Sequence, residues 1–396
     1  MSTEHPEEQR PLKILIIAET YPPDVNGSAQ FARRLAQGMR GRGHQVHVMA
    51  PMTAKGTSLT VDKDGVTEHR IRSHRAFTHP YFRLCFPWEV YREIKRVLDA
   101  VQPDVVHSQC HYILGRLGIQ EAQRRGIRLV GTNHFIPENI EPFLPFPDWF
   151  IRGYRKVSWW DLARQFRRCD VVTAPTQLAV DTMVANGVDD NAIPVSNGIQ
   201  VGDYEQLAGE HLKKPDHQTV LFCGRLAVEK NVNELIEAVS LIPDAKNVHA
   251  EIVGEGEQLD SLVSLAHSLG VAERIHFRGF LTDEQLRVAY LNADVFCQPG
   301  TAELQSLVTL EAMSASTPVV LANARALPHL ADEGVNGYLF EPGNPHDLAN
   351  KLQLVLDAGP QQRRAMGEAS HRMMAHHSFA KTLDTFERIY RGEPAR

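Results

Sequence analysis

The sequence predicts an α/β protein built from two doubly wound parallel-sheet domains, and three observations lead to this. Short β-branched runs alternate with longer helical patterns along the chain, which is typical of parallel strands joined by crossover helices. The length of 396 residues exceeds what one ordinary hydrophobic core supports. A polar stretch with several glycines, from Asn197 to His217, separates two such series and is the natural linker.

Each element is predicted from its own pattern: apolar β-branched runs for strands, amphipathic spacing for helices. In the first half we predict strands at 13–18, 45–50, 66–72, 104–107, 128–134, 171–175 and 193–196, and helices at 29–40, 88–101, 115–125, 159–167 and 178–186. In the second half we predict strands at 219–223, 250–253, 275–278, 295–298, 318–321 and 337–340, and helices at 232–241, 258–269, 283–291, 307–315 and 345–356. The domains are then 1–200 and 201–377, with a C-terminal helix in 378–396 that packs back toward the first domain.

Composition narrows the class of protein. The chain is 43% hydrophobic and 23% charged, as globular proteins are. Residues 1–10 carry three Glu and no apolar core, and the first apolar run, Ile14 to Ala18, is far too short to span a membrane. The five cysteines form no close pairs, so neither a zinc knuckle nor a dithiol motif is predicted. We therefore expect a cytoplasmic protein with reduced thiols.

The overall charge of −6 hides an asymmetry between the halves. Residues 1–200 carry 25 Lys and Arg against 21 Asp and Glu, whereas residues 201–396 carry 17 against 27. A first half that is net positive suggests that it faces something anionic.

Two positions at predicted strand ends of the first half are candidate binding residues. Gly27 ends a Pro-rich loop and opens a helix, where a glycine permits close backbone approach and free amides attract a phosphate. The alternative is a plain turn with Ser28 as the N-cap. His134 ends the predicted strand 128–134, on the side where ligands of α/β sheets bind. The alternative for His134 is a purely structural histidine.

In the second half, the loop after strand 219–223 places two cations five residues apart. It reads Gly224-Arg225-Leu226-Ala227-Val228-Glu229-Lys230. Fixed cations stabilise the charge that develops on a departing diphosphate, and Arg and Lys contribute as a bidentate donor and a mobile point charge. The alternative is two solvated surface cations. The nearby Gly254-Glu255-Gly256 is similar to a dinucleotide turn, but Leu259 replaces its third glycine, so NAD binding is not predicted.

Two carboxylates flank the start of the predicted helix 307–315. Glu303 lies in the loop ahead of the helix and Glu311 about two turns into it, so both can address one strand-end crevice. Carboxylates accept hydrogen bonds from hydroxyls, and the amides of Ser306 and Leu307 are free at a helix start. One Glu can then bind a sugar and the other a ribose. The alternative is a first-turn acid and a solvated helix acid.

Together these motifs resemble the family-4 retaining glycosyltransferases of GT-B fold, two Rossmann-like domains facing across a cleft. The resemblance covers about Ile14 to Ala349, and it is specific because the motifs occur in the order of the family. The motifs are Tyr21-Pro22-Pro23 with Gly27, Asn133-His134, Gly224-Arg225-Leu226 with Glu229-Lys230, Gly254-Glu255-Gly256, and Glu303 followed by Glu311-Ala312-Met313.

The resemblance implies a role for each of these positions. It implies that Gly27 approaches the donor diphosphate or the acceptor and that His134 bonds the transferred sugar. It further implies that Arg225 and Lys230 bind the diphosphate. The rest of the implied donor site consists of Glu303 on the sugar, Glu311 on the ribose, and Gly224, Gly254, Ser306 and Leu307 around them.

The family implies no cofactor and no metal ion. Its proposed reaction is a front-face substitution, in which the leaving phosphate takes the proton of the acceptor. This chain departs from the family twice, with Asn26-Gly27 where Gly-Gly is frequent and with Ser306 where a glycine is frequent. The second change is expected to narrow the sugar pocket.

Two basic, aromatic segments of the first half indicate the acceptor. One is Arg70–Arg96, and the other is Phe143–Arg168; together they contain all four tryptophans. Such residues seat proteins on anionic membranes, although Trp and Phe also pack inside proteins. The predicted membrane and acceptor residues are Trp149, Phe150, Arg152, Arg155, Lys156, Trp159 and Trp160. Two other stretches, 132–139 and 303–307, resemble glycolipid-forming members of the family such as diacylglycerol glucosyltransferases.

The leading hypothesis is therefore transfer of a hexose from a UDP- or GDP-sugar to a lipid such as diacylglycerol or a glycosylated lipid, at the inner face of the plasma membrane. The alternatives are a transferase with a soluble acceptor, a sugar-nucleotide epimerase, and a non-catalytic sugar-nucleotide-binding module. No nucleic-acid-binding module is recognisable, and the negative net charge argues against that partner.

Overall fold

The computed structural model describes residues 10–24, 26–53, 56–75, 83–137, 141, 144, 146–202, 204 and 216–395. It divides into two compact units. The first unit combines Met1–Val195 with Leu383–Arg396, and the second is Ser196–Thr382. The sequence placed the boundary at residue 200 and treated 378–396 as a separate segment. Most of the predicted linker, at 203 and 205–215, lies outside the described residues.

The described strands of the first unit form an eight-stranded sheet and a small hairpin. The strands are β1 Lys13–Ile17, β2 Gln45–Pro51, β3 Leu59–Lys63, β4 Val66–Ile71, β5 His74–Arg75, β6 Arg83–Leu84, β7 Val105–Ser108, β8 Arg128–Thr132, β9 Val171–Ala174 and β10 Ile193–Pro194. The sheet order is β10-β9-β8-β7-β1-β2-β4-β3, and only the edge pair β3·β4 is antiparallel. The helices are Gly27–Gly41, Pro87–Val101, Ile113–Arg124, Asp148–Phe166 and Gln177–Ala185.

The second unit contains a six-stranded, fully parallel sheet. Its strands are β11 Gln218–Cys223, β12 Val248–Val253, β13 Ile275–Gly279, β14 Val295–Gln298, β15 Val319–Ala322 and β16 Gly337–Phe340. Their order is β13-β12-β11-β14-β15-β16. The helices are Val232–Leu241, Leu259–Ser268, Asp283–Asn292, Leu307–Ser314, Pro345–Leu356 and Gly359–Met373, and the last helix, Phe379–Arg391, begins in this unit.

Both sheets reverse their strand order beside the first strand of the unit. In the first unit, β1 pairs with β2 on one side and with β7 on the other. In the second unit, β11 pairs with β12 and with β14. The connections leave such a point in opposite directions, so a crevice opens outside the carboxyl ends of the two central strands. The loops after β11 and β14 therefore flank one crevice.

The core explains why the sequence forms these layers. In β1 four of five residues are buried, and β14 and β15 are buried throughout. Helices cover both faces of a doubly wound sheet, so its central strands consist of continuous apolar residues. The sequence accordingly has continuous apolar runs at these strands, and not the alternation of apolar and polar residues that a half-exposed strand has.

The predicted helices and strands are confirmed. Apart from the two-residue strands β5 and β6, which were not predicted, three longer elements differ. The helix Asp148–Phe166 begins eleven residues before the predicted start at 159, because its exposed face carries aromatic residues that blur the amphipathic pattern. The edge strand β3 was not predicted, and all five of its residues are exposed. The helix Gly359–Met373 was not predicted either; Gly359 and Pro360 at its start look like a turn.

The last helix packs on the first unit from Leu383 onward. A Cβ at Gly38 would lie 2.6 Å from the Leu383 side chain, so this glycine gives the helix room to approach. Tyr390 is 3% exposed, and its hydroxyl lies 2.7 Å from Nδ1 of His107. Arg42 donates to Glu387 at 2.9 Å.

Candidate active site

Two loops meet at the crevice of the second unit and form one surface. The backbone amide of Thr301, in the loop after β14, donates to the carbonyl of Glu229, in the loop after β11, at 3.3 Å. The Asn231 side-chain amide donates to the carbonyl of Pro299 at 3.3 Å. These bonds hold the charged residues of the two loops in register with one another.

The predicted sugar and diphosphate residues are ion-paired with one another. Lys230 Nζ lies 2.5 Å from Glu303 Oε1, and the side chains are 22% and 12% exposed. Arg225 pairs with Glu229 at 2.5 Å. The second oxygen of Glu229, Oε2, is shielded from solvent and has no hydrogen-bond partner among the described residues. Sequence reasoning found both cations and Glu303, but neither pairing.

Gly254 is required because two loops cross at van der Waals distance. Its φ of +132° lies in the region that favours glycine. A Cβ built on Gly254 would lie 1.9 Å from the carbonyl oxygen of Gly224. The Gly254 amide also donates to Gly279 at 2.9 Å. The glycines that resemble a dinucleotide turn thus bring the ends of β11, β12 and β13 together.

Ser306 is the N-cap of the helix Leu307–Ser314. Its hydroxyl accepts from the Thr309 amide at 3.4 Å and from the Thr309 hydroxyl at 2.7 Å. The residue is 1% exposed. The hydroxyl that replaces the usual glycine of the family thus caps the start of the helix. Leu307 is the first residue of the helix, where amides have no intrahelical acceptor.

Tyr290 holds Glu311 and was missed by sequence reasoning. Its ring is fully buried, and its hydroxyl donates to Glu311 Oε2 at 3.1 Å. Burial raises the pKa of the Tyr290 phenol, so the group stays protonated and donates. Tyr290 lies on the helix Asp283–Asn292, where it is the buried residue, and nothing in its local pattern separates it from a core aromatic.

Gly27 opens the first helix of the first unit, and Asn26 precedes it as the N-cap. The Asn26 side chain accepts from the Ala29 amide at 2.9 Å and from the Ser28 hydroxyl at 2.9 Å. The cap is therefore Asn26, whereas the alternative interpretation of the sequence placed it at Ser28. The Asn that departs from the family pattern thus stabilises the helix start beside Gly27.

His134 lies two residues beyond the end of β8 and packs against Phe31, with ring centroids 4.9 Å apart. Burial lowers its pKa to about 4, so the imidazole is neutral at physiological pH. Its Nε2 is shielded and has no hydrogen-bond partner among the described residues. A buried ring nitrogen of this kind can bond a ligand hydroxyl.

The helix Asp148–Phe166 exposes most of the predicted acceptor residues and buries one of them. Trp149 and Trp160 are 69% and 57% exposed, and Phe150, Arg152 and Lys156 are exposed beside them. Trp159 is 4% exposed and belongs to the core, so its assignment to a membrane surface was wrong. Adjacent tryptophans in a helix point about 100° apart, and one of the two faces inward here.

Arg155 also differs from its predicted role, because it is engaged with a neighbouring acid. Its Nε and Nη2 lie 2.6 and 2.5 Å from the two oxygens of Glu141. The bidentate geometry neutralises its charge. In the other predicted segment, Arg70–Arg96, Trp88 is 64% exposed and stacks on Phe86. Phe77, Tyr81 and Phe82 of that segment lie outside the described residues, as does Phe143 of the segment Phe143–Arg168.

Known proteins match along most of the chain. Residues 25–202 match the family model Glycosyltransferase Family 4, and residues 203–373 match Glycosyl transferases group 1. Alpha-monoglucosyldiacylglycerol synthase of Streptococcus pneumoniae is 24% identical over 95% of this chain and 85% of its own. GDP-mannose-dependent alpha-mannosyltransferase of Mycolicibacterium smegmatis is 29% identical over 79% of this chain and 80% of its own.

The fold has a solved counterpart in Anabaena HepE, crystallised in complex with UDP-glucose. It matches with a TM-score of 0.74 at 19% identity, over 96% of this chain and all of that chain. Two doubly wound units of this kind, with these family matches, define a glycosyltransferase of GT-B fold. The chain belongs to family 4 of the glycosyltransferases and is a hexosyltransferase.

Gly254→Ala tests the crowding of the two loops. We expect the free energy of unfolding of the second unit to fall by about 2 kcal/mol, because the methyl group clashes with the Gly224 carbonyl and the backbone is strained. Urea unfolding measures it. Gly202→Ala is the matched control, since its Cβ meets nothing within 4 Å. Equal stability of the two variants would contradict the interpretation.

Tyr290→Phe tests whether the phenol positions Glu311. We expect the KM for the sugar donor to rise about tenfold with a smaller change in kcat, because a hydrogen bond to a carboxylate contributes about 1.5–3 kcal/mol. Steady-state kinetics measure it, with Tyr338→Phe as the control. In a Glu311→Gln background the effect should shrink; an undiminished effect there would show that Tyr290 acts through packing alone.

Proposed function

We propose that the protein transfers a hexose, with retention of configuration, from a UDP- or GDP-sugar to a lipid acceptor such as diacylglycerol or a glycosylated lipid. The observation that carries the donor half of this proposal is the Lys230–Glu303 pair at the crevice of a nucleotide-binding type of sheet. The acceptor half is supported by the exposed face of the helix Asp148–Phe166 and by the names of relatives, which include diacylglycerol and mannosyl transfer.

Donor binding would exchange partners within the crevice. A diphosphate carries more negative charge than one carboxylate, so it competes with Glu303 for Lys230 and with Glu229 for Arg225. Glu303, once released, becomes a free acceptor for sugar hydroxyls. Glu311, held by Tyr290, is oriented toward the ribose.

The same cations would stabilise the departing diphosphate as the glycosidic bond breaks. In the front-face reaction, the leaving phosphate oxygen takes the proton of the acceptor hydroxyl, and the acceptor oxygen bonds the anomeric carbon on the side that the phosphate leaves. His134, neutral because burial lowers its pKa to about 4, would bond a sugar hydroxyl through its shielded Nε2. Neither the stabilisation of the leaving diphosphate nor the hydrogen bond from His134 requires a side-chain nucleophile.

The proposed membrane contact is one stripe of the helix Asp148–Phe166. Residues 149, 156 and 160 fall within about 40° of each other at 100° per residue. The stripe therefore sets Lys156 between two exposed tryptophans, with Val157 62% exposed beside it. Arg164 lies over the Trp160 ring at 5.3 Å. Indoles seat at the level of lipid headgroups, and each basic residue adds about 1 kcal/mol at an anionic leaflet.

The stripe would hold the protein at the surface of a bilayer, and we propose the inner face of the plasma membrane. None of the helices in the described part of the chain is long and apolar enough to cross a membrane. Binding to the membrane surface places the acceptor-binding unit next to the headgroup region, where a lipid exposes its hydroxyl group. This division gives donor binding to the second unit and acceptor choice to the first.

Incubation with UDP- and GDP-sugars and a membrane lipid extract, followed by mass spectrometry, tests the proposed activity. We expect a glycolipid as the product. Lys230→Ala and Glu303→Gln should each lower kcat/KM by about 100-fold or more, because each loses charge stabilisation in the crevice. Lys246→Ala, which removes an ion pair with Asp357 elsewhere in the same unit, is the control and should leave kcat/KM unchanged.

Other products would identify the alternatives. Turnover of water-soluble acceptors alone would make the protein a soluble-acceptor transferase, and an epimerised donor formed without acceptor would make it an epimerase. Full activity in Lys230→Ala and Glu303→Gln would show that the chemistry takes place elsewhere.

Co-sedimentation with lipid vesicles tests the membrane stripe. Binding to equimolar phosphatidylglycerol and phosphatidylcholine should fall strongly in the double variant Trp149→Ala, Trp160→Ala. In Arg152→Ala, Lys156→Ala the affinity should fall by about 1 kcal/mol per charge and lose part of its salt dependence. Leu354→Ala, which truncates an exposed apolar residue of the second unit, is the control. Equal binding of all variants would reject the stripe.

A further inference from the structure

Three histidines lie close together at one end of the second sheet, opposite to the end that carries the loops after β11 and β14. His217 directly precedes β11, and His249 and His276 are the second residues of β12 and β13. Thr219 pairs with His249, and Glu251 pairs with His276. Alternate residues of a strand share a face, so the register places 249 and 276 on the same face of neighbouring strands.

The nitrogens of these rings lie close together. His249 Nδ1 and His276 Nε2 are 2.9 Å apart, and the planes of the two rings differ by 9°. The His217 ring stacks on His249 with centroids 4.0 Å apart. One ring nitrogen from each histidine lies within 4.8 Å of the other two.

Hydrogen bonding fixes the tautomer of the central histidine. His249 Nε2 lies 3.2 Å from the side-chain oxygen of Asn247, which can only accept, so the proton belongs on Nε2. The lone pair is then on Nδ1, directed at His276. Metal-binding histidines typically have this arrangement, with the second nitrogen donating to an oxygen that orients the ring.

Two further features of the cluster favour the binding of a cation. His217 Nε2 is shielded and has no hydrogen-bond partner among the described residues. Beside it, a pocket of about 290 Å³ is lined by Asp216, Asn247 and Asp294, with room for entry and for a water ligand.

We propose that His217, His249 and His276 form a binding site for a divalent transition-metal ion of the zinc class, with water completing the coordination. Three imidazoles and a water suit Zn²⁺ in tetrahedral geometry. The site lies at the amino ends of the strands, about 17 Å along β12 from Gly254 at about 3.3 Å per residue. The ion therefore ties the segment before β11 to two strands of the sheet, and it takes no part in glycosyl transfer.

Titration of the full-length, untagged protein with Zn²⁺ and Co²⁺ after treatment with EDTA tests the proposal. We expect one ion per chain by calorimetry, visible ligand-field bands with Co²⁺ typical of tetrahedral coordination, and a higher thermal midpoint with the ion bound. His249→Gln should abolish stoichiometric binding, and Asn247→Ala should weaken it by about 10–100-fold through the lost orienting bond. His267→Gln removes an exposed histidine of the same unit and should bind as the unaltered protein does.

Two results would overturn the proposal: no saturable binding by the unaltered protein, or one-to-one binding that persists in His249→Gln. Circular dichroism of the metal-free variants shows whether each has folded. If His249→Gln does not fold, His276→Gln and Asn247→Ala decide the question. Binding that His267→Gln also loses would assign the ion to a general histidine-rich surface and reject this site.

Discussion

The apposition of the loops after β11 and β14 is the constraint on which the candidate donor site depends. Parallel pairing of β11 with β14, and the reversal of strand order at that point, bring two sequence segments about seventy residues apart into hydrogen-bonding contact. This contact accompanies the approach of Lys230 to Glu303, whose charged atoms lie 2.5 Å apart. Each charged group of the pair balances the other, so neither is left as an unpaired buried ion, which would destabilise the fold. A ligand that carries both an anion and hydroxyl groups can then satisfy each partner separately.

Backbone crowding preserves that arrangement. Gly254 lies so close to the Gly224 carbonyl that no side chain fits between the ends of β11 and β12. Tyr290 contributes from the other side by anchoring Glu311 from a fully buried position. Ser306 fixes the start of the helix that carries Glu311. The charged groups are thus positioned by groups that need never touch a substrate, a common basis for preorganised binding sites.

Much of the fold and several site residues could be predicted from local patterns. The buried central strands are continuous apolar runs, and the charged loops directly follow them, so their places at strand ends could be inferred. The edge strand β3 could not, because an exposed strand has no apolar face to reveal it. The helix start at Asp148 was missed because exposed Trp149 and Phe150 resemble core residues. The same ambiguity misplaced Trp159, since adjacent aromatics look alike until packing turns one of them inward.

By itself, the sequence determined the class of fold and the order of its motifs, and it predicted Arg225, Lys230, Glu303 and Glu311 as donor-site residues. The tertiary structure decided which side chains contact each other: Lys230 with Glu303, Tyr290 with Glu311, and His249 with His276. Those partners are separated by between 21 and 73 residues. Strand register and helix packing set their distances, and such long-range geometry leaves no local signature in a chain, because periodicity reports only which face of its own element a residue occupies.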